Sequence, residues 1–225
     1  MKINKVLLSI LAVSAFSCTY AEERVLNMDF SEAPEKIEEV RTKAGGKKKN
    51  ETVDFYIAIP PTEGKDFTFQ CLLKPTGMRS YSGFSVGIGA RNMTSRQFTA
   101  QVRMGDGNRT AFSFLNKGKA IAKPVGRFKV EPLTITMQYS AASGTMDFSA
   151  VGKAGNVISK AEKIPVRYND FSVNSILISV IDKPGAGEAY LFYNAKAQQL
   201  EGKSFFNNSF FSTFVVDDVK ITYAE

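Results

Sequence analysis

The chain has 225 residues, no histidine, no tryptophan and two cysteines, with 29 basic against 22 acidic side chains. The missing histidine removes the commonest general base and metal ligand, and with it every Ser-His or Cys-His nucleophile. The excess of +7 is mild and is not interleaved with aromatic residues, which speaks against a nucleic-acid partner.

The opening MKINKVLLSILAVSAFSCTYAEE reads as a secretory signal peptide over residues 1–21. Lys2 and Lys5 precede an apolar run from Val6 to Phe16, too short to span a bilayer, and Thr19-Tyr20-Ala21 suits cleavage after Ala21. A rival reading takes Ala15-Phe16-Ser17-Cys18 as a loose lipobox with lipid on Cys18, and only then is a membrane a partner. The expected address is exported: periplasmic, extracellular or cell surface. Cutting after Ala21 removes two lysines and leaves 204 residues with 27 basic and 22 acidic side chains. That length suits one domain, 22–225, burying about 70% of its unfolded surface. With Cys18 lost in the leader or carrying lipid, only Cys71 remains as a thiol, so no intramolecular disulfide is expected.

Period-2 alternation runs along the rest of the chain. Leu26, Met28 and Phe30 alternate with polar neighbours, and residues 34–43, PEKIEEVRTK, fit either a short helix or a strand. Lys47-Lys48-Lys49 follows Ala44-Gly45-Gly46 as a solvated turn, or as a patch for acidic glycans or a membrane surface. Val53, Phe55, Ile57 and Ile59 come next, ended by Pro60-Pro61. Then follow Phe67 to Leu73, Phe84 to Ile88, and Phe98 to Met104. A tight turn at Gly105-Asp106-Gly107-Asn108 leads into Thr110, Phe112 and Phe114. LTITMQYSAASGTMDFSAV is a hairpin, with Leu133, Ile135, Met137 and Tyr139 answered by Met146, Phe148 and Ala150. SILISVI, residues 175–181, is apolar on both faces, as a covered central strand would be. AYLFY, residues 189–193, is another dense run before the closing FVVDDVKITYAE. Turns every ten or so residues without a helical period predict an all-β antiparallel sandwich or barrel.

RVLNMDF near the start, FVVDDVKITY at the end and the hairpin at 133–151 resemble strands of concanavalin A-like, laminin-G-like jelly-roll sandwiches. The resemblance covers residues 24–225 and implies a two-sheet antiparallel jelly roll. Members include lectins, glycan-binding modules, polysaccharide hydrolases and lyases, and interaction domains. The Gln-x-His motif of alginate-lyase-like members cannot exist here, and no strand carries the Glu-x-Asp-x-x-Glu of glucanase-like members. The expectation is therefore a non-enzymatic binding module for a polysaccharide or cell-surface glycan. A structural or protein-interaction domain at a bacterial cell surface is the alternative, and a hydrolase or lyase with an atypical site is the third.

Parity proposes the ligand face. With Phe98–Met104 and Leu133–Tyr139 facing the core, Thr99, Gln101, Arg103, Thr134, Thr136 and Gln138 face away from it, with groups suited to sugar hydroxyls or carboxylates. Tyr56 and Tyr81 are the candidate stacking rings in the absence of tryptophan. Asp217 and Asp218 are adjacent on a strand, so they point to opposite faces and cannot flank one bond. Phe214 and Val216 differ in parity from Val219, Ile221 and Tyr223, which predicts a β-bulge at Asp217-Asp218. The resemblance also implies a second use, a structural calcium held by Asp217 with Asp29 or Glu32. No other cofactor is expected.

Overall fold

The structure, a computed structural model, describes residues 23–28, 32–42, 51–79, 82–91, 93–105, 107, 109–166, 171–182, 189–206 and 209–224. The expected leader with Cys18 and Ala21 lies outside these, as do Asp29, Lys47, Lys48, Lys49, Tyr81, Asp106, Asn108 and Glu188.

Among the described residues, sixteen strands form two antiparallel sheets. Sheet I runs β12 (Val157–Pro165), β11 (Thr145–Gly152), β10 (Leu133–Ser140), β4 (Phe67–Met78), β16 (Ser209–Ala224), β15 (Gln199–Phe206), β14 (Ala189–Asn194). In the same sheet β1 (Glu23–Met28) pairs with the C-terminal part of β16, from Glu23↔Ala224 to Met28↔Val219. Sheet II runs β2 (Ile37–Thr42), β3 (Glu51–Ala58), β13 (Ser175–Asp182), β5 (Gly83–Ala90), β6 (Met93–Met104), β7 (Thr110–Asn116), β8 (Lys119–Ala120), with β9 (Val125–Gly126) against β7.

The alternating residues meet between the sheets. Phe84, Phe98, Phe112 and Phe114 point inward from sheet II, and Phe69, Phe148 and Phe214 from sheet I, all buried. Rings touch across the interface: Phe84 stacks on Phe214 at 4.4 Å between centroids, and Phe148 meets Phe98 at 5.7 Å and Phe114 at 5.3 Å. Such pairs add about 0.5–1.5 kcal/mol each beyond the area they remove from water.

The 133–151 hairpin has the expected register, with Ile135 opposite Ala150 and Met137 opposite Phe148 across a turn at 141–144. SILISVI becomes β13, inside sheet II between β3 and β5 and buried on both faces. Residues 37–42, left open between helix and strand, are a strand because they pair with β3 from Ile37↔Ile57 to Thr42↔Thr52. Cys71 is buried on β4, where burial pushes its thiol far above the ordinary value, so it stays a protonated small hydrophobe.

Candidate functional site

The six outward polar residues predicted as one face do not share a face. Thr99, Gln101 and Arg103 lie on β6 in sheet II, whereas Thr134, Thr136 and Gln138 lie on β10 in sheet I. Both sets point away from the core, so they occupy opposite sides of the sandwich. Parity assigned each strand's faces correctly, but it carries no information about which sheet a strand joins.

The two outer faces differ in shelter. On sheet I the outward Gln70, Gln138, Asp147 and Lys220 are exposed. On sheet II the outward Ser85, Ser175, Ser179, Thr99 and Tyr56 are buried although they face away from the core. Side chains that shelter one another outside a core mark a concave surface. A cavity of about 390 Å³ lies there, lined by Thr52, Asp54, Ser85, Gln97, Thr99, Gln101, Leu115, Lys117, Leu177, Ser179 and Ile181, among others.

Strand register explains the hollow. Along β5, GFSVGIGA, the residues sharing the outward parity are Gly83, Ser85, Gly87 and Gly89, so the strand contributes almost no side chain to this face. The pairing places Asp54, Ser179, Ser85 and Gln101 in one row across β3, β13, β5 and β6. Three strand spacings put the backbones of Asp54 and Gln101 about 14 Å apart, with only serines between. At one end of the trough, Gln97 Nε2 donates to Tyr56 Oη at 3.1 Å, a bridge over β13 and β5 that the outward glycines leave room for. Beyond Tyr56, Arg91 pairs with Glu38.

Burial raises the Asp54 carboxyl above the ordinary aspartate range, opposed by a hydrogen bond from Ser179. Burial likewise raises the Tyr56 phenol, aided by the Asp54 charge, so Tyr56 stays a neutral donor near pH 7. The floor can thus accept at Asp54, donate at Tyr56, and do either at Ser85, Ser179, Thr99 and Gln101. Leu115, Leu177 and Ile181 add apolar surface beside these groups.

No protein-family model matches the chain, and no curated protein matches it in sequence. Solved structures do resemble it. The CBM2 module of Lactobacillus casei BL23 phage J-1 evolved Dit is similar at a TM-score of 0.56 and 7% identity, over 90% of this chain and 97% of that one. Winged bean acidic lectin, solved with methyl-α-D-galactose, follows at 0.54 and 11% identity, over 90% and 99%. Lectin UEA-II, solved with galactose, gives 0.52 and 12%, over 90% and 98%. The fold is the concanavalin A-like jelly roll.

In this jelly roll the closing aspartates serve the backbone. From Asp217 to Lys220 β16 advances three residues while β4 advances two, Leu72 to Gln70, which is the expected bulge. Asp218 takes a φ of +49°, and its amide donates to Asp217 Oδ1 at 2.9 Å. The extra residue switches parity, so Phe214 and Val216 before it and Val219, Ile221 and Tyr223 after it all reach the core. Asp147 repeats the device: its Oδ1 accepts the Lys163 amide at 2.6 Å where β12 bulges and Lys163 has a φ of +54°.

The calcium expectation meets a lysine. Lys74 Nζ lies 2.7 Å from Asp217 Oδ2, so an ammonium holds one carboxylate oxygen and an amide the other. Glu32 is exposed before β2, and no group of three or more His, Cys, Asp or Glu among the described residues is arranged as metal ligands. Asp217 is thus committed to Lys74 and to the bulge, while Asp29, the other residue expected there, lies outside the described residues. Asp217→Ala is expected to cost about 1 kcal/mol, since the ion pair is partly exposed. With both Asp217 oxygens already engaged, EDTA is expected to leave the wild-type melting temperature unchanged; a chelator-induced drop would show a bound metal.

Asp54, Ser85, Ser179, Gln97 and Lys117 were not among the sequence-derived candidates. Only one signal in the sequence pointed to them, the Gly-x-Ser-x-Gly-x-Gly alternation of residues 83–89, a strand nearly bare on one face.

Proposed function

We propose that the protein is an exported, non-catalytic glycan-binding module whose site is the trough on sheet II. The observation carrying this is the row Asp54, Ser179, Ser85, Gln101: hydrogen-bonding groups on both walls with a nearly bare floor between them. A sugar ring presents hydroxyls that donate and accept at its rim and C–H groups on its faces. Asp54, Gln101 and the hydroxyls match the rim, and Leu177 and Ile181 match a face. Lectins of the same fold have been solved with galactose or its methyl glycoside, which supports the substrate class.

Support for a non-catalytic role comes from counting acids in the trough. Asp54 is the only carboxylate lining it among the described residues, and glycoside hydrolysis needs a pair. With no histidine anywhere in the sequence, a second general acid or base of the usual kind is missing. Export rests on the signal-peptide reading of residues 1–21.

A polysaccharide array tests the site. Asp54→Asn and Gln101→Ala are each expected to weaken binding by about 10-fold or more, from the loss of buried hydrogen bonds. Thr136→Ala and Gln138→Ala, on the opposite sheet, are expected to leave it unchanged. Because the ionised form of Asp54 is the acceptor, wild-type binding should weaken as pH falls through its raised pKa, and Asp54→Asn should lose that dependence. An array with no bound glycan, or binding indifferent to Asp54 and Gln101, would overturn the proposal.

A further inference from the structure

The trough runs parallel to the strands of sheet II. Its floor is β13 and β5, one wall is β3, and the other is β6 with β7. Three outward rows follow along it: Thr52, Ile181, Gly83 and Arg103, then Asp54, Ser179, Ser85 and Gln101, then Tyr56, Leu177, Gly87 and Thr99. Each row lies roughly 7 Å from the next, two residues further along the strand. Gln97 belongs to the row after these, beside Gly89.

Two ties cross the trough at this end. Gln97 Nε2 donates to Tyr56 Oη at 3.1 Å, joining the β6 wall to the β3 wall across both floor strands. Three strand spacings, roughly 14 Å, separate those walls, so both side chains must stretch inward to meet. Gly87 and Gly89 leave them room to lie low, because β5 has no side chain beneath them. Behind this tie Arg91, just past the end of β5, pairs with Glu38 on β2, opposite Tyr56. The Arg91 amide is itself fixed to Asn174 Oδ1 at 3.1 Å. One end of the trough is therefore closed low across its floor.

We infer that the site reads the terminus of a linear glycan and not its interior, an inference that rests on the glycan reading of the same trough. A residue inside a chain carries a neighbour on each side, so a chain lying along the strands would have to leave the trough at both ends. The Gln97–Tyr56 tie stands in one of those paths. A terminal sugar instead carries a free hydroxyl where the next residue would attach. Gln97, which lines the cavity, keeps its amide oxygen and a second N–H beyond the bond to Tyr56, and these can accept from and donate to that hydroxyl. A continuing chain would have to break the tie and leave the buried Tyr56 hydroxyl without its partner. Matched polar groups of this kind discriminate far more sharply than apolar contact does.

Binding stoichiometry tests it, with linear galactan, mannan, xylan and alginate each prepared at two mean lengths an order of magnitude apart. One protein per chain is expected at both lengths of any glycan bound, so that the short chains hold about tenfold more protein per gram. Gln97→Ala is expected to open the trough, and its bound protein per chain should then rise with length. Tyr56→Phe removes the same bond while keeping the ring, and serves if Gln97→Ala fails to fold. Wild-type protein that loads chains in proportion to their length would overturn the inference, as would a folded variant that stays at one per chain, or no binding to any of the four. Loading in proportion to length that Asp54→Asn still abolishes would keep the trough as a glycan site and remove only its preference for chain ends.

Discussion

Gly87→Ala is expected to destabilise the fold by about 3 kcal/mol or more, at the upper end for overpacking. A methyl at Gly87 would lie 1.9 Å from the Phe98 carbonyl oxygen and 2.8 Å from Thr99 Cα, both main-chain atoms of β6. No rotamer relieves such a contact. β6 is held by β5 on one side and β7 on the other, so moving it disturbs two ladders at once. Urea unfolding should show a lower midpoint with an unchanged slope. Gly126→Ala is the control: nothing lies within 4 Å of its added carbon, and it should stay within about 0.5 kcal/mol of wild type. Because Gly87 also floors the trough, any folded Gly87→Ala protein should bind glycan poorly. Wild-type stability in Gly87→Ala would show that the close approach of β5 and β6 is wrong.

Phe214→Ala is expected to cost about 3–5 kcal/mol. Its ring is buried and stacked 4.4 Å from Phe84, linking sheet I to sheet II. Beneath the ring is Gly202, its partner on β15, where an added methyl would lie 2.0 Å from the ring carbon Cζ. The two positions are therefore complementary, a ring laid over a bare strand. Gly202→Ala alone should be strained by that ring, and the strain should largely vanish in Gly202→Ala/Phe214→Ala. A double-mutant cycle on urea midpoints should give a coupling above about 0.5 kcal/mol, and simple additivity would refute the packing.

What the sequence disclosed follows from what alternation encodes. Inward residues on β4, β6, β10 and β11 were legible because each strand has one face on the core. The bulge at Asp217 was legible because apolar parity changes there, and β13 because both its parities are apolar. The trough was not, since it depends on partners distant in sequence: β13 lies between β3 and β5, from widely separated parts of the chain. Local pattern cannot place Ser179 beside Asp54, nor assign Thr99 and Thr136 to opposite sheets. Strand β12 was missed because Lys160, Glu162 and Lys163 and a bulge break its alternation at a sheet edge. The ambiguity at 37–42 had the same root, an edge strand rich in glutamate whose identity comes from pairing with β3.

The long strand β16 sets a polarity for any tether. It starts at Ser209 and reaches Ala224, beside Glu23, roughly 50 Å away for an extended run of that length. A lipid on Cys18 would be leashed by only a few residues to that far extremity. The leash is too short to fold back along the sandwich, so an acylated molecule would stand with the Ser209 end of β16 farthest from the leaflet that holds it.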